Sequence, residues 1–165
     1  MTTVQAGHKA PDFTLHALDG GTLSLSQALQ NGPVVLAFYK ISCPICQFGF
    51  PYIERIFQSY GKKAAVWGIS QHGPDDTRDF QKEYGLTFPA AVDPEDSNYH
   101  VSNLYGLTNV PTVILVAPDG TVKESHHGFD KKGLERIGAY LAKTTGLPMQ
   151  PVFVPGEAVP DYKPG

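Results

Sequence analysis

Three stretches of the chain are apolar without interruption: Pro33-Val34-Val35-Leu36-Ala37-Phe38-Tyr39, Ala64-Ala65-Val66-Trp67-Gly68-Ile69 and Thr112-Val113-Ile114-Leu115-Val116. A strand wetted on one face alternates apolar and polar residues, whereas one covered on both faces does not. These runs therefore predict the central strands of a sheet buried between two layers. Between them the period changes. From Pro44 to Tyr60 the apolar positions Ile45, Phe48, Tyr52, Ile53, Ile56, Phe57 and Tyr60 recur at helical spacing, with Gly61 as a stop and Pro51 as an expected kink. Pro74 to Tyr84 reads as a second helix with Asp75, Asp76 and Asp79 near its positive end. Ser97 is expected to cap a third through Tyr105, and Asp130 to open a last one to about Lys143.

Phe13 to Leu18 alternates, Asp19-Gly20-Gly21 turns, and Thr22 to Leu25 returns, which predicts an N-terminal hairpin. Ser26 is expected to cap a short turn through Leu29, and Phe88 to Val92 to form a short strand. After the third apolar run, Pro118-Asp119-Gly120 reverses the chain into Thr121 to His126, an antiparallel hairpin. Strands alternating with helices and ending in a hairpin indicate an α/β sheet of mixed direction. Residues 1–145 form one domain on this reading. Residues 146–165 contain Pro148, Pro151, Pro155, Pro160 and Pro164, a proline-rich C-terminal extension that fits neither a helix nor a central strand. It is expected to be an extended arm, loose or laid across the domain.

A content of 41% hydrophobic and 18% charged residues in 165 is that of a globular chain with a sizeable core. The formal charge of −3 supplies no polycation for nucleic acid and no basic face for a membrane. Proteins and small thiols remain as partners. Met1 to Lys9 lacks the apolar segment of a secretory leader, so a cytoplasmic chain is expected. In such a reducing compartment the only two cysteines, Cys43 and Cys46, point to catalytic or sensing use.

Those cysteines form Cys43-Pro44-Ile45-Cys46, between the first buried strand and the first long helix. The thiolate is the nucleophile of disulfide exchange, and unpaired N–H groups at a helix N-terminus favour it. Cys43, at the first turn, is the expected attacker. Cys46, one turn inward on the same face, is placed to resolve the mixed disulfide. Pro44 suits the first helical position, where a missing N–H costs little. The alternatives are a structural disulfide or half of a zinc site, but zinc needs about four ligands and there is no second cysteine pair. Lys40 is either a solvated strand end or a neighbour that lowers a thiol pKa. Of the adjacent His126 and His127, only one can face any given site. Asp93, Glu95 and Asp96 read as a polar loop.

Taken together, Pro11-Asp12-Phe13 before the hairpin, the strand into the dithiol, Pro51, the stretch Tyr84 to Asp93, Val110-Pro111-Thr112 and Pro118-Asp119-Gly120 resemble the thioredoxin superfamily over residues of roughly 10 to 144. The likeness is strongest to the TlpA/ResA-like thiol-disulfide oxidoreductases and the redoxin (AhpC/TSA) group. The resemblance implies a thioredoxin-like fold, with a central mixed β-sheet flanked by helices, an N-terminal β-hairpin and a central insertion. It further implies a cis peptide at Val110-Pro111, opposite the dithiol, where the backbone of Val110 binds an extended substrate.

The implied function is exchange of two electrons between Cys43/Cys46 and protein or small-molecule disulfides. No metal or organic cofactor is called for, the electron donor is unidentified, and a monomer or weak dimer is expected. There are departures. Ala37 replaces a buried aspartate, Ser42 replaces a tryptophan, and neither inner residue of the motif is acidic.

The alternative is a peroxiredoxin-like thiol peroxidase, an antioxidant with Cys43 as peroxidatic and Cys46 as resolving cysteine. Lys40 then stands where a threonine or serine is usual, and Arg55, Arg78 and Arg136 lie outside the strands after Pro111. Metal handling by a longer cysteine spacing with His126 or His127, and a redox-regulated module built on the proline-rich tail, are weaker readings.

Overall fold

The computed structural model describes residues 2–165. Its centre is a five-stranded sheet in the order β5-β4-β3-β6-β7, made from β3 (Val34–Tyr39), β4 (Ala65–Ser70), β5 (Ala90–Val92), β6 (Thr112–Val116) and β7 (Val122–His127). β3, β4 and β5 run parallel, while β6 is antiparallel to β3 and β7 antiparallel to β6. The three unbroken apolar runs are β3, β4 and β6, the three innermost strands. The fold class read from the sequence is the one observed.

The pleat of β3 divides the core. Val35, Ala37 and Tyr39 face α2 (Pro44–Tyr60) and α5 (Lys131–Thr145), meeting Phe50, Ile53, Ile56, Leu134, Ile137 and Leu141. Val34, Leu36 and Phe38 face the other way, onto Phe13, Trp67, Val101, Tyr105 and Ile114. Each Val, Leu, Ile or Phe among them, fully withdrawn from water, contributes about 1.5–3 kcal/mol. α2 continues through Pro51. α3 (Pro74–Glu83) packs by Phe80 on the α2 side. Gly68 in β4 leaves room for rings, since a β-carbon there would lie 2.8 Å from Phe88.

The N-terminal hairpin, β1 (Thr14–His16) and β2 (Thr22–Ser24), docks on the β5 edge through a bond from Leu18 N–H to the Ala90 carbonyl at 3.0 Å. Two helix starts differ from the reading above. α1 (Leu25–Leu29) begins one residue before Ser26, whose N–H donates to Asp12 Oδ1 at 3.0 Å, so the capping carboxylate comes from a distant residue. Ser97 lies in a 3-10 turn (Glu95–Ser97), and α4 (His100–Leu104) starts only after the left-handed residues Asn98 and Tyr99. Its amides are satisfied by Asp93, which accepts from Val101 N–H at 3.1 Å and from both the N–H and hydroxyl of Ser102 at 2.6 Å. Asp93 lies in the loop after β5, as read, but is fully buried, because an otherwise uncapped helix start faces it.

Asp130 caps α5 as expected, accepting from Gly133 N–H at 2.9 Å. Beyond it the proline-rich residues lie along the α2/α5 face. Val152 enters the core, Gln150 N–H donates to Tyr60 Oη at 3.0 Å, and Arg55 holds the Val152 carbonyl at 2.9 Å and both carboxylate oxygens of Glu157 at 2.8 Å. The arm then forms β9 (Tyr162–Lys163), antiparallel to β8 (Phe129–Asp130), which joins β7 to α5.

Candidate dithiol site

β3 ends at Tyr39, and a short turn delivers Cys43 to the N-terminus of α2. The turn is held by Cys43 N–H donating to the Lys40 carbonyl at 3.3 Å and by Gln47 Nε2 donating to the Ile41 carbonyl at 2.9 Å. Cys43 is the N-cap, with extended backbone (φ −87°, ψ 113°), and Pro44 occupies the first helical turn. In that conformation the Cys43 sulfur accepts the Cys46 N–H at 3.1 Å. The sulfur thus takes the place of a capping oxygen, where negative charge is favoured by the helix end.

The two thiols are unequal. Cys43 is half-buried, whereas Cys46 is wholly buried, and both are free. Burial pushes the Cys46 thiol well above the ordinary cysteine range; its hydrogen bond with Cys43 adds to this, and the backbone at Lys40 opposes it. Ala37, fully buried on the same side of β3, supplies no carboxylate to relieve that shift. An accessible sulfur at a helix end and a protonated one behind it form an attacker and a reserve.

Facing them is the loop before β6. The Val110–Pro111 peptide is cis, and the Cys43 thiol points at the Val110 carbonyl at 3.7 Å. The Val110 N–H has no hydrogen-bond partner among the described residues. A cleft of about 490 Å³ opens here, lined by Lys40, Ser42, Cys43, Gln71, Val110 and Gly165 among others. Cys43, Cys46, Val110 and Pro111 are therefore brought together. Lys40 reaches the rim of the cleft as an exposed side chain without an ion pair or hydrogen bond from its ammonium among the described residues. Gln71, whose Nε2 donates to Ser102 Oγ at 2.9 Å, and Gly165 were not foreseen. No local motif marks either; Gly165 arrives through the path of the arm, which only the tertiary structure defines.

The arginines are engaged elsewhere: Arg55 with Glu157, Arg78 with Asp75 and the Leu18 carbonyl, Arg136 with Glu124. None is held at Cys43. His126 is inward-facing and His127 exposed, and no cluster of three or more metal-ligating side chains occurs among the described residues. No helix among them is long and apolar enough to cross a membrane.

A sheet of this order, with a dithiol at a strand-to-helix corner opposite a cis-proline loop, is a thioredoxin fold, and the protein is a thiol-disulfide oxidoreductase. The AhpC/TSA family matches residues 6–125, and the chain belongs to it. It is 32% identical to the thiol-disulfide oxidoreductase ResA of Oceanobacillus iheyensis over 143 residues, covering 83% of this chain and 71% of the relative. It is 31% identical to ResA of Bacillus anthracis over 146 residues, 86% and 80% of the two chains. Among solved structures, the thioredoxin domain of a thiol-disulfide oxidoreductase from Bacteroides vulgatus superposes with a TM-score of 0.75 at 19% identity, over 84% of this chain and 99% of that one. At such identity the likeness speaks for the fold.

Proposed function

We propose that Cys43 is the nucleophile and Cys46 the resolving thiol in the reduction of polypeptide or small-molecule disulfides. The Cys43 thiolate attacks one sulfur of the substrate, forming a Cys43–substrate disulfide and releasing the other sulfur as a thiolate. Cys46 loses its proton and attacks the Cys43 sulfur, releasing the second substrate thiolate and leaving a Cys43–Cys46 disulfide. Two electrons pass to the substrate, and an external thiol or dithiol donor returns them. The observation that carries this reading is the 3.1 Å bond from Cys46 N–H to the Cys43 sulfur, with only Cys43 open to the cleft.

Val110 and Pro111 form the proposed substrate edge, because the free N–H and the carbonyl of Val110 can pair with an extended segment beside the attacking sulfur. Lys40 contributes positive charge at the rim, where it steers anionic thiolates. The proposed setting is the cytoplasm, a compartment in which thiols are kept reduced and a lone cysteine pair serves catalysis or sensing. Recovery of the native protein in a membrane or extracytoplasmic fraction would overturn that placement.

The peroxidase alternative is not favoured, since cleavage of an O–O bond needs donors aimed at the departing oxygen and all three arginines are committed elsewhere. The test is insulin reduction and hydrogen peroxide consumption by one preparation with dithiothreitol as donor. Cys43-dependent insulin reduction with negligible peroxide turnover supports the reading. Rapid peroxide turnover with no insulin reduction overturns it.

A further inference from the structure

The last residues of the arm return to the dithiol. Leaving Pro160, Asp161 accepts Lys131 N–H at 3.0 Å, and Tyr162 and Lys163 pair with Asp130 and Phe129. The Lys163 ammonium sits 5.3 Å from the centre of the Phe48 ring. The chain then crosses Gly128, whose own N–H donates to the Pro111 carbonyl at 2.8 Å. Gly128 has φ of 74°; a β-carbon there would overlap the Lys163 carbonyl and lie 3.1 Å from both the Gly165 nitrogen and Tyr162 Oη. At the tip, a β-carbon on Gly165 would overlap the Val110 carbonyl. Two glycines, one on each side of the crossing, thus permit a close approach of backbones directly beside Cys43.

This approach covers the Val110 backbone that a substrate segment needs. The carbonyl pressed by Gly165 is the one that the Cys43 thiol points to, and Gly165 lines the same cleft. A polypeptide adding along Val110 and the segment ending in Pro164-Gly165 require the same space.

The hold on the segment is also graded. Residues 150–157 are fixed by the buried Val152, the Tyr60 hydroxyl and the Arg55–Glu157 pair. In contrast, Asp161, Tyr162, Pro164 and Gly165 are exposed and Lys163 is only half-buried. Their retention rests on a two-residue ladder, one bond from Lys131 N–H to the Asp161 carbonyl and the Lys163 ammonium over Phe48, with no side chain entering the core. Such a segment opens locally at far lower cost than the core.

We propose that residues 161–165 are a displaceable strap occupying the polypeptide-docking edge at Val110, so that a disulfide-bearing polypeptide must lift it before Cys43 attacks. The proposal rests on the reading of Val110 as the substrate edge. A strapped state that excludes substrate lowers apparent affinity by the fraction of molecules that are open. Small disulfides, which fit the cleft without pairing along Val110, escape that penalty.

The test compares the parent chain with one lacking residues 161–165, and with Gly165→Leu, which keeps the ladder but lifts residue 165 off Val110. Insulin is the polypeptide probe and 5,5′-dithiobis(2-nitrobenzoic acid) the small one. Both variants are expected to raise kcat/KM for insulin about tenfold, chiefly through KM, with less than about a twofold change for the small disulfide. A synthetic peptide of residues 160–165 should restore inhibition of the shortened chain. If either variant, with a urea midpoint like that of the parent, reduces insulin no faster than the parent, the strap is refuted. If all three chains reduce insulin through Cys43 but at equal rates, the exchange reading survives and the strap alone fails. If none forms a Cys43-linked mixed disulfide, the exchange reading fails and the strap with it.

Discussion

The amide of Cys46 donates to the sulfur of Cys43 across 3.1 Å, so the helix that buries one cysteine also presents a backbone donor to the other. The donor is backbone and survives replacement of the Cys46 side chain. Cys46→Ser is therefore expected to keep the attack and lose the release. Incubated with a polypeptide disulfide, it should accumulate a Cys43-linked mixed disulfide visible by mass spectrometry, with turnover down at least about hundredfold. Cys43→Ser should give neither adduct nor turnover. An adduct on Cys46 in that variant would reverse the assignment.

The buried position of Cys46 sets the pH dependence of the second step. Its thiol is held above the ordinary cysteine range by burial first and by the bond to Cys43 second, so at neutral pH only a small fraction is thiolate. While pH stays well below that pKa, each unit of increase multiplies the thiolate by about ten. Release of product from a preformed mixed disulfide, followed in a single turnover, should accelerate about hundredfold between pH 7 and pH 9. A flat profile would mean that a neighbouring base takes the proton or that opening of the site limits the rate.

Phe129 joins the arm to the domain. It is 2% exposed, its ring lies 5.0 Å from Phe48, 5.7 Å from Tyr52 and 6.0 Å from Phe153, and its backbone pairs with Lys163. Phe129→Ala leaves a cavity among three rings and is expected to cost about 3–5 kcal/mol in urea unfolding. A cost below about 1 kcal/mol would show that α2 and the arm close over the gap.

What the sequence revealed and what it hid divide along a physical line. Val34 to Tyr39, Ala65 to Ile69 and Val113 to Val116 were legible because a strand covered on both faces leaves an unbroken apolar run. Cys43, Pro44 and Cys46 were legible because helix-end chemistry is local. The burial of Asp93 was missed because its partners, the amides of Val101 and Ser102, become available only after Asn98 and Tyr99 turn left-handed. Asp12 as the partner of Ser26 was missed for the same reason: it lies 14 residues away. Gly165 was invisible because its place beside Val110 depends on the whole course of the arm.

His126 lies on β7 opposite Val113, and α5 passes over it so closely that a β-carbon on Gly133 would stand 2.7 Å from its Nδ1. Both ring nitrogens are buried without a hydrogen-bond partner among the described residues. Burial pushes its pKa down from 6.5 to about 4; Arg136 and His127 push the same way, and Asp130 opposes them. Above pH 6.5 the ring is neutral in folded and unfolded chains alike, and stability carries no term from it. Between 6.5 and about 4 the unfolded chain takes up the proton and the folded chain does not, so stability falls as pH falls. The loss reaches about 2 kcal/mol near pH 5 and about 3 kcal/mol by pH 4. His126→Leu removes the titration without stranding a polar partner. Urea unfolding at pH 7.5 and pH 5 should therefore give a smaller acid-induced loss in the variant than in the parent, by about 2 kcal/mol. Equal losses in the two proteins would show that the ring gains a proton in the folded state as readily as in the unfolded chain, through a shift of α5 that lets in solvent or brings Asp130 into contact.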